Sequence, residues 1–393
     1  MMESVRSAWG RIALYVRGRW IAFACVAIAL AINAVAVSAT IAPFAWSPTA
    51  LVHMGSTEPL APIALKADPG FRFVSPAAHY DGVYYYAIAR DPLALHELHP
   101  LIDRPGYRYG HPGFGWLAWA VSLGQTGRVP DALLAINLAA VAVAAFVASV
   151  LAQAYGWSQW GGLVVAFNPG IVYSVTADTS EPLALALIAL AILAWTRRRW
   201  FAAGVALVAG CLTKEPLLAV PVGLAAWELI ELVRGARPRD LLARATALLV
   251  GPVFFALWWT YLHADFGHLP SSEARDLTSS PFKGWLDSFR IAGQFANGDF
   301  NTAQIGVAAI ALMATLGGVL LLALLLGLRA RTPFDTIYVC LGLVAFSLSW
   351  WGLLFPKDLI REVSLALALA PAVFAGAVRP PRRAAEPRRP ALP

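Results

Sequence analysis

The sequence predicts an all-α, polytopic membrane protein, and three observations carry that reading. The 393-residue chain is 59% apolar and only 13% charged, about half the charge of a soluble globular domain. Its apolar residues fall in runs near the length needed to cross a hydrocarbon core about 30 Å thick at about 1.5 Å per residue. Its arginines sit in short clusters between those runs. Together these exclude a soluble enzyme, a disordered chain and a small secreted scaffold. Cys25, Cys211 and Cys340 each lie inside an apolar run, so no disulfide framework is expected. The formal net charge of +7 is read as membrane anchoring, and no nucleic-acid partner is expected.

Ten runs qualify as spans: 20–42, 130–153, 157–176, 182–197, 199–213, 216–233, 241–263, 303–328, 335–355 and 359–378. A further apolar stretch, His111–Gly124, covers only 14 residues and contains Pro112, Gly113 and Gly115, which predicts a re-entrant or interfacial helix. The positive-inside rule sets the orientation. Arg6, Arg11, Arg17 and Arg19 precede the first span. Arg197–Arg199, Arg234/Arg237/Arg239, Arg329/Arg331 and the tail Arg379, Arg382, Arg383, Arg388 and Arg389 join them in the cytoplasm only if His111–Gly124 does not cross. The expectation is therefore about ten transmembrane helices plus the re-entrant segment, in the plasma (inner) membrane with both termini cytoplasmic. The chain divides into a cytoplasmic segment 1–19, a transmembrane domain 20–378 with outer loops 43–129 and 264–302, and a basic cytoplasmic tail 379–393. On this topology the cytoplasmic side carries 18 Lys/Arg against 6 Asp/Glu, and the outer side 12 against 17 with all seven histidines. Chemistry is expected to face outward.

Loop 43–129 is the longest polar stretch, and a connection of that length is usually functional. Asp81 is followed by Tyr84, Tyr85 and Tyr86, whose density predicts an interfacial helix with half-buried rings. Asp81 reads either as that helix's N-cap or as a carboxylate beside a stacking platform for a sugar or lipid headgroup. Arg90, Arg104 and Arg108 follow, interleaved with Pro and Tyr. Guanidinium forks bind phosphate oxygens in pairs, and also bind anionic membrane headgroups.

In this order of parts the sequence resembles the GT-C class of membrane glycosyltransferases, which use polyprenyl-phosphate sugars as donors. The run Asp81-Gly82-x-x-Tyr85-Tyr86-x-x-Ala89 is similar to the aspartate segment of GPI-type mannosyltransferases and their actinobacterial relatives. The patch Tyr107-Arg108-Tyr109-Gly110-His111-Pro112 resembles the Y-R-Y-x-P stretch of the GPI mannosyltransferase I group, with one inserted residue. The motif likeness covers about 40 residues and the topological likeness the whole chain. The resemblance implies a GT-C-like fold, an outward-facing site and inverting transfer to a cell-envelope acceptor. Many members carry an acidic pair where Asp81 is followed by Gly82, so a divalent cation (Mg or Mn) and no metal are both left open.

Other outer turns supply further candidates. Asp178 and Glu181 precede a helix, where capping is one reading and a second acidic site, which the resemblance implies, is the other. Lys214 and Glu215 pair with each other at the membrane edge, or Lys214 faces a donor phosphate. Lys357 and Arg361 are read as phosphate-stabilising, against structural pairing with Asp358 or Glu362. Glu228 and Glu231 are expected to pair with nearby arginines. His96 and His99, spaced i, i+3, are read as loop histidines rather than zinc ligands, since zinc needs a third ligand.

The expected mechanism has Asp81 as general base toward an acceptor hydroxyl, with Arg108, Lys357 and Arg361 offsetting charge on the departing lipid phosphate. His79, Tyr84, Tyr85, Arg90, Arg104, Tyr109, His111, Asp178, Glu181 and Lys214 complete the candidate substrate contacts. Helix 111–124 and the spans around it are expected to form the polyprenyl groove. Expected partners are the polyprenyl-phosphate-linked sugar, a glycan, lipid or protein acceptor, and membrane lipids. The alternative is a polytopic transporter or lipid flippase without covalent chemistry, built from broken helices meeting at polar residues.

Overall fold

Apolar runs fold as helices because a backbone in hydrocarbon has to satisfy its own polar groups. The computed structural model describes residues 18–95, 98–238, 240–298 and 300–379. Arg6, Arg11, Arg17, His96, Glu97, Arg239 and the tail beyond Arg379 lie outside the described residues. Among the described residues the regular elements are helical, with a single isolated strand bridge between Thr278 and Leu348. The α-helices are α1 Trp20–Ile41, α2 Ala61–Ala67, α3 Gly82–Arg90, α4 Pro105–Tyr109, α5 Gly113–Val121 and α6 Val129–Ala154. Then come α7 Leu163–Ala166, α8 Pro169–Thr176, α9 Glu181–Thr196, α10 Trp200–Thr213, α11 Ala219–Val233 and α12 Leu241–Phe266. The last six are α13 Lys283–Ala296, α14 Phe300–Gly327, α15 Pro333–Phe346, α16 Trp351–Leu354, α17 Pro356–Glu362 and α18 Ser364–Val378.

Among the described residues, five helical stretches are long and apolar enough to cross a membrane: Trp20–Phe44, Thr126–Ala154, Glu215–Val233, Leu241–Phe266 and Thr302–Gly327. A sixth results if α17 and α18, bent by 54°, count as one span, and α9, α10 and α15 are shorter apolar helices. These are the helices of a membrane protein. Helix α6 is central, with 56% of its apolar window buried against 17% for α12 at the periphery. It packs on α1 and α9, while α10 packs on α12, α11 on α15, and α14, α15 and α18 on one another.

Three apolar runs are not the continuous helices the sequence predicted, and one of them, 359–378, divides at Val363 between α17 and α18. Run 157–176 breaks into a 3-10 turn at Gln159–Gly162, then α7, then α8. Pro169 is the cause: it lacks an N–H and drives the preceding residue out of the helical region. Asn168 is accordingly extended, and its side chain accepts from the backbone N–H groups of Gly170 and Ile171. Run 335–355 stops at Phe346. Its next residues join backbone hydrogen bonds with 277–282 before α16 restarts the helix. The His111–Gly124 stretch holds the nine-residue α5, about 13 Å long and too short to cross.

Loop 43–129 builds a core of its own, containing Val52, Met54, Leu60, Phe71, Tyr109, Phe114, Leu133 and Leu262. Residues Gly82 to Ala89 of α3 are all buried within it. Tyr84, Tyr85 and Tyr86 are therefore core side chains, not half-wet rings at headgroup level. A helix apolar on every side is an interior helix.

Candidate active site

Asp81 stands at the head of α3, where its backbone approaches two other segments. A Cβ on Gly82 would lie 2.7 Å from the Val52 carbonyl oxygen and 2.8 Å from that of Ala177. Only glycine fits there, and the close approach sets Asp81 at the edge of the helical body. Its side chain makes no capping bond, so the N-cap reading is not realised. The carboxylate faces two guanidinium groups instead: Arg361 Nη1 donates to Oδ2 at 2.5 Å and Arg108 Nη1 to Oδ1 at 3.3 Å.

Arg361 comes from the broken helix α17/α18. Gly170 lies against that break, where a Cβ would overlap the Ile360 carbonyl oxygen. Asn168 Nδ2 donates to the Ser364 carbonyl at 2.8 Å. The Asn168-Pro169-Gly170 turn thus seats the bend that presents Arg361. From it, Arg361 Nη1 also reaches Glu181 Oε1 at 3.4 Å, and Nη2 donates to Glu362 Oε1 at 2.5 Å. Lys357 lies over the Tyr80 ring at 4.2 Å, Arg361 over it at 5.1 Å, and the Tyr80 hydroxyl donates to Asp358 at 2.7 Å.

Glu181 opens α9 without capping it. Its carboxylate is buried and takes a hydrogen bond from Lys214 Nζ, so Lys214 pairs across to Glu181 rather than with its neighbour Glu215. Ser180, the formal N-cap, shares a 2.8 Å hydrogen bond with the Tyr85 hydroxyl. Glu215 accepts from the Tyr107 hydroxyl at 3.3 Å and lies 3.7 Å from His111 Nδ1.

Arg108 is carried on the arm 103–111. Its guanidinium lies 3.7 Å above the Tyr84 ring, and its Nε donates to Asp103 at 3.3 Å. Loop 264–302 grips this arm: Arg104 makes a two-pronged pair with Asp276 at 2.7 and 2.9 Å, and the Tyr107 N–H donates to Glu273 at 2.9 Å. Helix α12 holds it from beneath, as Trp258 and Trp259 donate to the Tyr109 and Gly110 carbonyls at 2.7 and 3.0 Å. Further along, Ser279 N–H and Phe282 N–H donate to the Ser347 and Phe346 carbonyls, just before the segment bearing Lys357 and Arg361. One loop therefore ties together the two arginine carriers.

Of the sequence candidates, the structure brings together Asp81, Arg108, His111, Glu181, Lys214 and Arg361, with Tyr84, Tyr85 and Lys357 at the border. Others are placed elsewhere. Arg90 donates to the Ile63 carbonyl and the Tyr86 hydroxyl, bracing α3 on α2. Arg104 serves the loop clasp. Tyr109 is buried in the outer-loop core. His79 pairs with Glu58 at 2.7 Å and touches the Tyr84 hydroxyl. Asp178 is fully buried with φ +46°, and neither carboxylate oxygen has a partner in the chain, so it is Glu181 that joins Asp81. Tyr80, Tyr107, Glu215 and Glu362 enter the cluster without having been singled out as site residues. Tyr107 lies in the quoted patch and Glu362 beside Arg361, but nothing local marks their partners.

Electrostatics fix the charge states of the loop groups. Burial alone would raise the Asp81 carboxyl, but Arg361, Arg108 and Lys214 outweigh it and hold it well below the usual carboxylate range. Burial, with the charges of Arg108 and Lys214, lowers His111 to about 3. Burial and the charge of Asp131 push Asp178 well up. The cluster thus holds an ionised carboxylate and a neutral imidazole at neutral pH. Among the described residues no three His, Cys, Asp or Glu side chains are grouped to hold a metal ion. Asp81 and Glu181 face guanidinium and ammonium groups.

Helix α5 is packed against α3, α6 and α10. An open groove between α1 and α8, lined by Ala36, Thr40, Phe167, Val172 and Tyr173, approaches the cluster. Its Tyr173 ring stands edge-on to Tyr80 at 5.5 Å. No family model matches the chain, and neither a curated protein nor a solved structure matches it.

Proposed function

We propose that this chain is an inverting, GT-C-like glycosyltransferase, moving a sugar from a polyprenyl-phosphate donor to a cell-envelope acceptor at the outer face of the plasma membrane. The reading takes the chain as crossing about ten times, with both termini cytoplasmic and α5 re-entrant. One observation carries it: an ionised Asp81 bracketed by Arg108 and Arg361, with Lys214 one carboxylate away. A base for an acceptor hydroxyl and cations for a phosphate leaving group are the two requirements of such a transfer. The acceptor oxygen attacks the anomeric carbon and gives its proton to Asp81. The bond from that carbon to the phosphate oxygen breaks, and the lipid phosphate departs against the guanidinium groups. Arg361 Nε is buried without a partner in the chain and retains a donor for a phosphate oxygen. The lipid chain lies in the groove between α1 and α8, its head beneath Tyr80 and Lys357. No divalent cation takes part in this scheme.

Asp81→Asn in membranes supplied with a panel of polyprenyl-phosphate sugars tests the reading. Transfer is expected to fall by about 10²–10⁴-fold, the usual worth of a general base. Wild-type transfer in that variant removes Asp81 as the base.

A second reading, a transporter without covalent chemistry, is favoured by the two broken helices α7/α8 and α17/α18 meeting beside the charged cluster. It predicts movement of an unaltered solute into sealed vesicles and no glycosylated product.

A further inference from the structure

At the end of the bundle away from Asp81, a cavity of about 220 Å³ lies between α6, α9 and α18. Its walls come from the same two helices that carry Glu181 and follow Arg361, but farther along: Leu185 to Ile192 on α9 and Ala368 to Ala375 on α18. Small side chains such as Ala144, Ala189 and Ala372 leave the space, and Ser158 is the one hydroxyl among the lining side chains. Close-packed interiors hold few voids larger than a water, and a dry apolar cavity of this size takes apolar ligands.

The rim has a different chemistry. Trp157 and Phe334, both lining residues, meet Tyr155 in an aromatic trio with ring separations of 5.1 to 5.7 Å. Such rings suit the boundary between hydrocarbon and headgroups. Arginines follow close by in the chain. Arg331 Nη1 donates to the Ala377 carbonyl at 3.0 Å, and Trp157 Nε1 donates to the Arg379 carbonyl at 3.2 Å, with the Arg379 side chain exposed. The Tyr155 hydroxyl lies 3.4 Å from that of Thr196, after which come the exposed Arg197, Arg198 and Arg199. The acid on this rim, Asp335, is buried and accepts from the Arg331 and Thr332 N–H groups.

We propose that this cavity seats one acyl chain of an anionic phospholipid whose phosphate rests on the rim arginines. The aromatic trio marks the level at which chain gives way to headgroup. The site is distinct from the charged cluster and binds lipid whether or not the chain transfers sugars.

The test uses the full chain, purified in detergent, stripped of lipid and titrated with phosphatidylglycerol or phosphatidylcholine, with bound lipid counted by native mass spectrometry. Phosphatidylglycerol is expected to bind one per chain, favoured about fivefold for each guanidinium engaged. Ala189→Phe and Ala372→Phe fill the cavity and are expected to weaken binding at least about tenfold, the loss of two buried methylenes, without lowering the melting temperature of the lipid-free protein. Arg379→Gln with Arg197→Gln touches only exposed side chains and is expected to lower the preference for phosphatidylglycerol by about fivefold for each guanidinium that engages, while leaving phosphatidylcholine binding unchanged. Equal binding of the two lipids by the wild type overturns the proposal, as does undiminished binding by folded cavity-filled variants. If those variants do not fold, an unchanged lipid preference in the arginine variant overturns it alone.

Discussion

Arg361 and Asp81 lie 280 positions apart, yet the guanidinium of one donates to the carboxylate of the other at 2.5 Å. The same guanidinium serves Glu181 and Glu362, so three carboxylates from three segments share one planar cation. A lysine is a point charge that cannot reproduce that fork. Arg361→Lys is expected to keep the fold and lose most transfer activity. Arg361→Gln is expected to lose about 3–5 kcal/mol of stability, because buried carboxylates lose their partner. Thermal unfolding in detergent beside the transfer assay separates the two effects.

The buried pair of Glu181 and Lys214 offers a cleaner energetic test. Glu181→Gln is expected to destabilise by about 3–5 kcal/mol, since it leaves Lys214 buried without its carboxylate, and Lys214→Met by less, because Glu181 keeps Arg361. The double substitution is expected to cost less than the sum, and a double-mutant cycle on melting temperatures reads the coupling. Additive losses would show that the two charges do not stabilise each other.

The clasp between Arg104 and Asp276 joins the two outer loops with exposed side chains. An exposed pair contributes about 0–1 kcal/mol to global stability, so Asp276→Arg is expected to leave unfolding almost unchanged. Amide exchange across 103–111 is expected to speed up, because the arm loses its outer hold, and the swap Arg104→Asp/Asp276→Arg is expected to restore protection. Unchanged exchange in the single variant counts against the clasp.

Protonation of His111 is expected to lower stability in acid, opposed by Asp178, whose raised carboxyl favours the folded state as pH falls. Folded His111 sits at about 3, below its ordinary 6.5, so between those values the unfolded chain binds the proton first. Stability therefore falls as pH drops below 6.5, by at most about 1.4 kcal/mol per pH unit from this group. Asp81, held low in the folded state, adds a loss below its ordinary value of 3.8. His111→Gln is expected to flatten the upper part of the curve in melting experiments from about pH 7 to about 2, while leaving the loss below 3.8 in place.

Much of this arrangement was legible in the chain. Composition alone points to apolar helices, and the bias of carboxylates toward one set of turns places Asp81, Glu181, Lys214 and Arg361 among the candidates. What local sequence does not encode is partner choice. Lys214 beside Glu215 reads as a self-contained pair, but the geometry of α9 brings Glu181 to its amine. Arg90, Arg104 and Tyr109 have the right chemistry, yet buried packing and a loop clasp claim them. Hydropathy also misread the tyrosines of α3, because amphipathic rings suit an interface and an interior equally well. The breaks at Asn168 and Ser347 lie inside runs that are apolar throughout, so only proline at the first hinted at them.

Gly170 has no charge, no reactive atom and no contact with Asp81, and by hydropathy an alanine there is harmless. Because any side chain would collide with the Ile360 carbonyl, one residue from Arg361, the position behaves in a mutational scan like the charged residues it supports. Tolerance along α8 is therefore uneven: its less buried positions are expected to accept apolar exchange, while one invisible atom's worth of room decides whether the distant guanidinium meets its carboxylates.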